Sequence, residues 1–175
     1  MQRNFRPQVQ DKLMERHFFF KLPHVWSFTT YFAEVGNGGG EGYTVNVPLS
    51  TGYGDAEYIT IYRQILEPIA LQFKPDLVLA SVGFDIHQDD PLGGMSVTPR
   101  GFAALTHILM EIARLSCDGK LVLTLEGGYN LQGLRDSVKA VLKELRGETT
   151  AEDRVWSGDE DKRILNPVLD KVKSI

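Results

Sequence analysis

Along the chain, uncharged apolar runs alternate with stretches whose apolar residues recur every three or four positions, a pattern that predicts strands separated by helices. Residues 77–82, Leu-Val-Leu-Ala-Ser-Val, carry no charge and lie between turn formers. They predict a strand buried on both faces, as in a parallel sheet covered by helices. Residues 121–125, Leu-Val-Leu-Thr-Leu, repeat the pattern. Tyr43, Val45 and Val47 alternate ahead of Pro48 and predict a third strand over 43–47. Between the strands, Tyr58, Ile61, Tyr62, Ile65 and Ile69 recur at helical spacing toward Phe73. Asp55 is the expected N-cap of that helix, and Pro68 should kink or break it, because its ring removes a donor and clashes with the preceding turn. Thr98-Pro99 predicts a second helix start, with Phe102, Leu105, Leu109, Ile112 and Leu115 on its apolar face. Asn130 caps a third helix, with Leu134, Val138, Val141, Leu142 and Leu145 facing inward. Strand, helix and strand follow one another with crossovers long enough for parallel pairing, which gives an α/β domain.

The two most apolar strands end in unusual sequences. The first runs into Gly83-Phe84-Asp85 and a loop, 86–94, that holds His87, Asp89 and Asp90; the second runs into Glu126-Gly127-Gly128-Tyr129-Asn130. Open α/β sheets bind ligands beyond the carboxyl ends of their strands, so Asp85 and Tyr129 are expected at one edge. Paired glycines let a backbone pass close to a ligand, and a phenol held there can donate to a developing oxyanion. A tyrosine that buries its ring at the core edge and wets its hydroxyl explains the local sequence equally well.

Composition narrows the classes. A chain of 175 residues with 42% hydrophobic content suits one domain of ordinary size, and no run of about 18 apolar residues crosses a membrane. Residues 1–16 are charged without an apolar centre, which is unlike a secretory signal. Cys117 is alone, which excludes an internal disulfide and suits the reducing cytoplasm. A net charge of -4 leaves no footprint for direct nucleic-acid binding. His17 and His24 lack partners at metal-ligand spacing and His107 lies beside the apolar face of its helix, so all three are expected to be surface or packing histidines. The glycines of 36–42 have neither dinucleotide-fingerprint spacing nor a Walker Lys-Ser or Lys-Thr pair, so they predict a turn and argue against a nucleotide site.

The loop Gly83-Phe84-Asp85-Ile86-His87-Gln88-Asp89-Asp90-Pro91-Leu92-Gly93-Gly94, followed by Leu125-Glu126-Gly127-Gly128-Tyr129-Asn130-Leu131, resembles the zinc-dependent histone deacetylase family. Within it, the motifs look most like the branch of bacterial deacetylase-like and acetoin-utilisation proteins and the class II enzymes. The resemblance spans roughly residues 31–147 and includes Tyr31 to Gly36 and Gly42 to Leu49. It implies a three-layer arginase/deacetylase-like fold with a parallel sheet, and hydrolysis of acetyl-lysine or an acetylated small amine. By the same resemblance Asp85 is one of the aspartates that hold zinc, and Tyr129 stabilises the tetrahedral intermediate. Leu92 lines the acyl-lysine tunnel, and Gly127 and Gly128 form its floor. The carbonyl of Tyr43 matches a ligand of a potassium site.

The family's other zinc ligands come from an Asp-x-His motif on an earlier strand, and a tandem histidine pair supplies the general base and acid. Asp85-Ile86-His87 is the sole Asp-x-His in this chain, its histidine matches a loop residue in the family pattern, and there is no His-His. The expectation is therefore a divergent segment at 1–30, the C-terminal half of a deacetylase-like domain at 31–147, and a charged tail or helix at 148–175, with Trp156 docking it. Such a chain should be inactive alone, or serve as a noncatalytic remnant or interaction module. An exposed sheet edge would favour homo-oligomers.

Overall fold

The computed structural model describes residues 19–21 and 35–150. In chain order the elements are β1 (Phe19–Lys21), β2 (Thr44–Asn46), α1 (Asp55–Ile61), α2 (Glu67–Phe73), β3 (Val78–Val82), α3 (Pro99–Cys117), β4 (Leu121–Leu125) and α4 (Leu131–Leu145). Short 3-10 turns occupy Gly38–Gly40 and Phe84–Ile86. The roles expected for His17, His24, Trp156 and the charged tail lie outside the described residues.

β3 and β4 pair in parallel, Val78 opposite Leu121 through Val82 opposite Leu125, with α3 as the crossover between them. β2 is joined not to β3, as the pattern suggested, but to β1, also in parallel, with Phe20 opposite Val45. Among the described residues the sheet is thus two separate pairs of strands. A cavity of about 340 Å³ borders Phe20, Tyr58 and Tyr62 on one side and Ala80, Val82 and Leu123 on the other.

The long apolar segment after Gly54 is helical throughout but not uniform. Tyr62–Leu66 form a π-helical turn between α1 and α2, with the Glu67 amide bonded to the Tyr62 carbonyl. Pro68 has no N–H to offer the carbonyl four residues back, and widening the turn ahead of it absorbs the misfit that was expected as a break. Asp55 is not the N-cap: that place belongs to Gly54, whose amide donates to Glu57 Oε2 at 2.8 Å. The Asp55 carboxylate turns instead to α3, where it accepts from the Thr98 amide at 2.8 Å and the Thr98 hydroxyl at 2.6 Å. Thr98 itself caps α3 by accepting from Gly101 N–H at 3.2 Å, with Pro99 in the first turn.

One core joins Val47, Tyr58, Ile61, Ile65, Phe84, Met95, Val97, Phe102, Leu105 and Val141, and a second joins Leu66, Ala70, Ile108 and Ile112. At roughly 1.5–3 kcal/mol for each fully buried large side chain, these contacts account for the docking of α1, α3 and α4. Phe84 and Phe102 lie 4.8 Å apart and tie the end of β3 to α3. The apolar faces are narrower than expected: Leu115 on α3 and Leu142 and Leu145 on α4 are exposed. Among the described residues, β3 and β4 are covered on one face only. Leu79 is 66% exposed, and Leu77 and Val122, the latter its partner across the pair, are open with it, which corrects the expectation of strands buried on both faces.

Candidate active site

The site begins where β3 and β4 end. Beyond their last paired residues the backbones stay bonded, Glu126 N–H to the Val82 carbonyl at 3.1 Å and Phe84 N–H to the Gly127 carbonyl at 3.0 Å. The two loops therefore leave the sheet side by side. Phe84 is buried, and the 3-10 turn it starts carries Asp85.

The Asp85 carboxylate rests on glycine backbone. A Cβ at Gly127 would sit 2.7 Å from Asp85 Oδ1, and a Cβ at Gly83 would run into the same oxygen. Gly93 passes the Asp85 carbonyl so closely that no side chain fits there. Gly128 has φ 127°, and a Cβ on it would meet Phe84 Cβ at 2.9 Å and Leu134 Cδ1 at 3.1 Å. The glycines flanking Asp85 and preceding Tyr129 are therefore required by close approach of the two loops. Tyr129 follows two residues after Gly127 with its side chain 61% exposed, and Leu92 is also exposed, on the loop after Asp85. The structure thus brings Asp85, Gly83, Gly93 and Gly127 into contact and sets Tyr129 and Leu92 on the two adjoining loops.

Asp90 joins those loops, a role its sequence position did not assign it. Its Oδ1 accepts from the amides of Leu92 at 2.9 Å and Gly93 at 3.2 Å, while Oδ2 accepts from those of Tyr129 at 2.7 Å and Asn130 at 3.2 Å. Burial by itself would raise its pKa, but the four amide bonds outweigh that and hold the carboxyl below the usual range. An aspartate ahead of Pro-Leu-Gly-Gly is a turn signal that could have drawn notice to its own loop. The bonds to Tyr129 and Asn130 are 39 and 40 residues away and leave no local signature.

His87 is buried beneath the first turn of α4, where a Cβ on Gly133 would lie 2.6 Å from its Nδ1. That nitrogen accepts from the Asp89 amide at 3.1 Å. His87 is thus a packing residue. Burial pushes the Tyr62 phenol up to about 12; Tyr58 rises further, through burial first and then through Tyr62 and the nearby Asp85 charge. Tyr43 packs edge-on against Phe73, ring centres 6.1 Å apart, with its amide bonded to the Gly40 carbonyl. His107 joins Glu144 on α4 at 2.8 Å.

Among the described residues no group of three or more histidines, cysteines, aspartates and glutamates is arranged to hold a metal ion. Asp85 offers one carboxylate, and His87 is committed elsewhere. A catalytic zinc takes three protein ligands, so these residues do not fit such an ion by themselves.

Residues 15–145 match the histone deacetylase domain. Histone deacetylase 15 of Arabidopsis thaliana is 48% identical over 138 residues, 78% of this chain and 24% of that protein. A probable deacetylase of Archaeoglobus fulgidus is 44% identical over 105 residues, 60% of this chain and 29% of that protein. The crystal structure of the HDA15 HD domain superposes with a TM-score of 0.70 at 37% identity, covering 90% of this chain and 46% of that one. The histone deacetylase Clr3 gives a TM-score of 0.71 at 35% identity, covering 81% of this chain and 23% of its own. The chain spans less than half the length of each of these relatives. Zinc dependence is general among proteins of this kind. With three quarters of its residues matched and two solved structures of the family superposing on it, the chain belongs to the histone deacetylase family and has its arginase/deacetylase fold.

Proposed function

We propose that this chain carries part of the active centre of an amide hydrolase that cleaves acetyl-lysine, or another acetylated amine, to acetate and the free amine. The observation that carries the reading is the seating of the Asp85 carboxylate on the Gly127 backbone, two residues before Tyr129. A carboxylate and a phenol on adjoining loops are the parts needed to hold a cation and to donate to the oxyanion of a tetrahedral intermediate. Leu92 would line the approach of the acyl chain, with Gly127 and Gly128 as floor, and the Tyr43 carbonyl would belong to a potassium site. The remaining zinc ligands and the proton-transferring histidines come from outside these 175 residues, because the sequence has neither a second Asp-x-His nor a His-His pair. The chain alone is then inert. Its single cysteine, buried and free, suits the cytoplasm.

A second reading, an interaction module without catalysis, is favoured by the open apolar face of β3 and β4. The purified chain separates the first reading from a self-sufficient enzyme. Zinc content by elemental analysis and acetate release from an acetyl-lysine peptide should both be at background. One tightly bound zinc per chain with turnover would overturn the view that the centre is incomplete.

A further inference from the structure

Asp90 is 8% exposed, and its partners are backbone amides rather than cations. Its two oxygens divide the work: one takes two amides of its own loop and the other takes two amides of the loop that follows β4. Bonds to a charged acceptor are roughly twice as strong as neutral ones. Asn130 returns the connection, donating from Nδ2 to the Asp89 carbonyl at 2.9 Å while its Oδ1 caps α4 through Gly133 N–H. Tyr129 is mostly exposed, so packing does little to hold it, and its backbone fixes where its Cα–Cβ bond starts.

We propose that Asp90 is a positioning residue that locks the Leu92 turn and the Tyr129 backbone into one rigid unit, so that the tunnel wall and the phenol keep a fixed relation. Its functional meaning rests on the hydrolase reading above; the mechanical coupling does not. A proton-shuttling role is excluded by the same geometry, because both oxygens face amides that hold them as acceptors.

An amide group has one acceptor oxygen where a carboxylate has two, which supplies the test. Asp90→Asn can keep the short-range bonds to Leu92 and Gly93, but it then turns an NH2 group toward Tyr129 and Asn130. Amide hydrogen exchange followed by NMR in the 175-residue chain should show Leu92 and Gly93 still protected. Tyr129 and Asn130 should exchange at least about tenfold faster, with α3 unchanged. Unaltered exchange at Tyr129 and Asn130 would overturn the coupling. If the variant fails to fold, the unsubstituted chain still decides: the Tyr129 and Asn130 amides must be protected although they lie in a surface loop, and exchange at the rate of an open peptide would overturn the proposal. Neither readout needs zinc or turnover, so a failure here leaves the hydrolase reading standing, and the reverse holds too.

Discussion

Tyr58 illustrates how a single residue can be out of balance with its surroundings. Its ring fills the core, yet its hydroxyl is buried with no hydrogen-bond partner among the described residues. An unmet buried hydroxyl costs about 1–3 kcal/mol, so Tyr58→Phe should leave stability unchanged or raise it by about 1 kcal/mol in urea titrations. The phenols of Tyr58 and Tyr62 keep their protons in the folded chain at pH values where the unfolded chain, with a pKa near 10, has lost them. Stability therefore falls as pH rises past about 10, and Tyr58→Phe should make that fall shallower. Asp90 works in the opposite direction. Its folded pKa lies below the unfolded value of about 3.9, so its contribution is present above that pH and fades as pH falls through the folded value. Gly127→Ala puts a methyl against the Asp85 carboxylate and should cost about 1–3 kcal/mol, read as a lowered urea midpoint. The glycines and Asp85 were legible as residues because turn formers after an apolar run mark a strand end. Asp90 was not, since what defines it is contact with amides far away in sequence.

At the scale of elements, α3, α4, β3 and β4 follow from apolar period and caps almost to the residue: Thr98 and Asn130 cap as their side chains and positions suggest. Asp55 shows the limit. An aspartate after Gly-Tyr-Gly is a reasonable cap by local rule, but tertiary structure uses its carboxylate across 43 residues to anchor Thr98. Asp55→Ala should therefore weaken the junction of α1 with α3, by about 1–3 kcal/mol, more than an isolated cap loss of about 1 kcal/mol. Thermal unfolding of Asp55→Ala and Thr98→Ala, singly and together, measures it; the double variant should lose less than the sum of the two single losses, because both remove the bond from the Thr98 hydroxyl, while only Asp55→Ala unpairs the Thr98 amide and only Thr98→Ala removes the cap on Gly101. The π-helical turn before Pro68 was visible only as a disturbance, since a ring without an N–H can be met by a kink, a break or a widened turn.

For the whole molecule, the consequence is that one face of β3 and β4 is open and apolar among the described residues. An apolar run predicts a strand covered on both faces only if something covers it, and nothing in 77–82 or 121–125 says that the second face stays open. Leu77, Leu79 and Val122 lie on the open face, with Leu79 opposite Val122, and make a patch of the kind that drives association. Light scattering should find the chain self-associated at micromolar concentration, and Leu79→Lys with Val122→Lys should shift it toward monomer; a monomer without the substitutions would contradict this. The strands' pairing was equally beyond local pattern, because β2 joins β1, whose three residues carry no sustained period. The most direct test of the central claim is reconstitution. The chain is mixed with the N-terminal half of a related deacetylase domain, carrying the Asp-x-His and His-His motifs, and acetate release from an acetyl-lysine peptide is followed with zinc present. The mixture should turn over where neither part does, should lose activity with Asp85→Asn, and should slow by about 10²–10³ with Tyr129→Phe. Turnover indifferent to both substitutions would contradict the account.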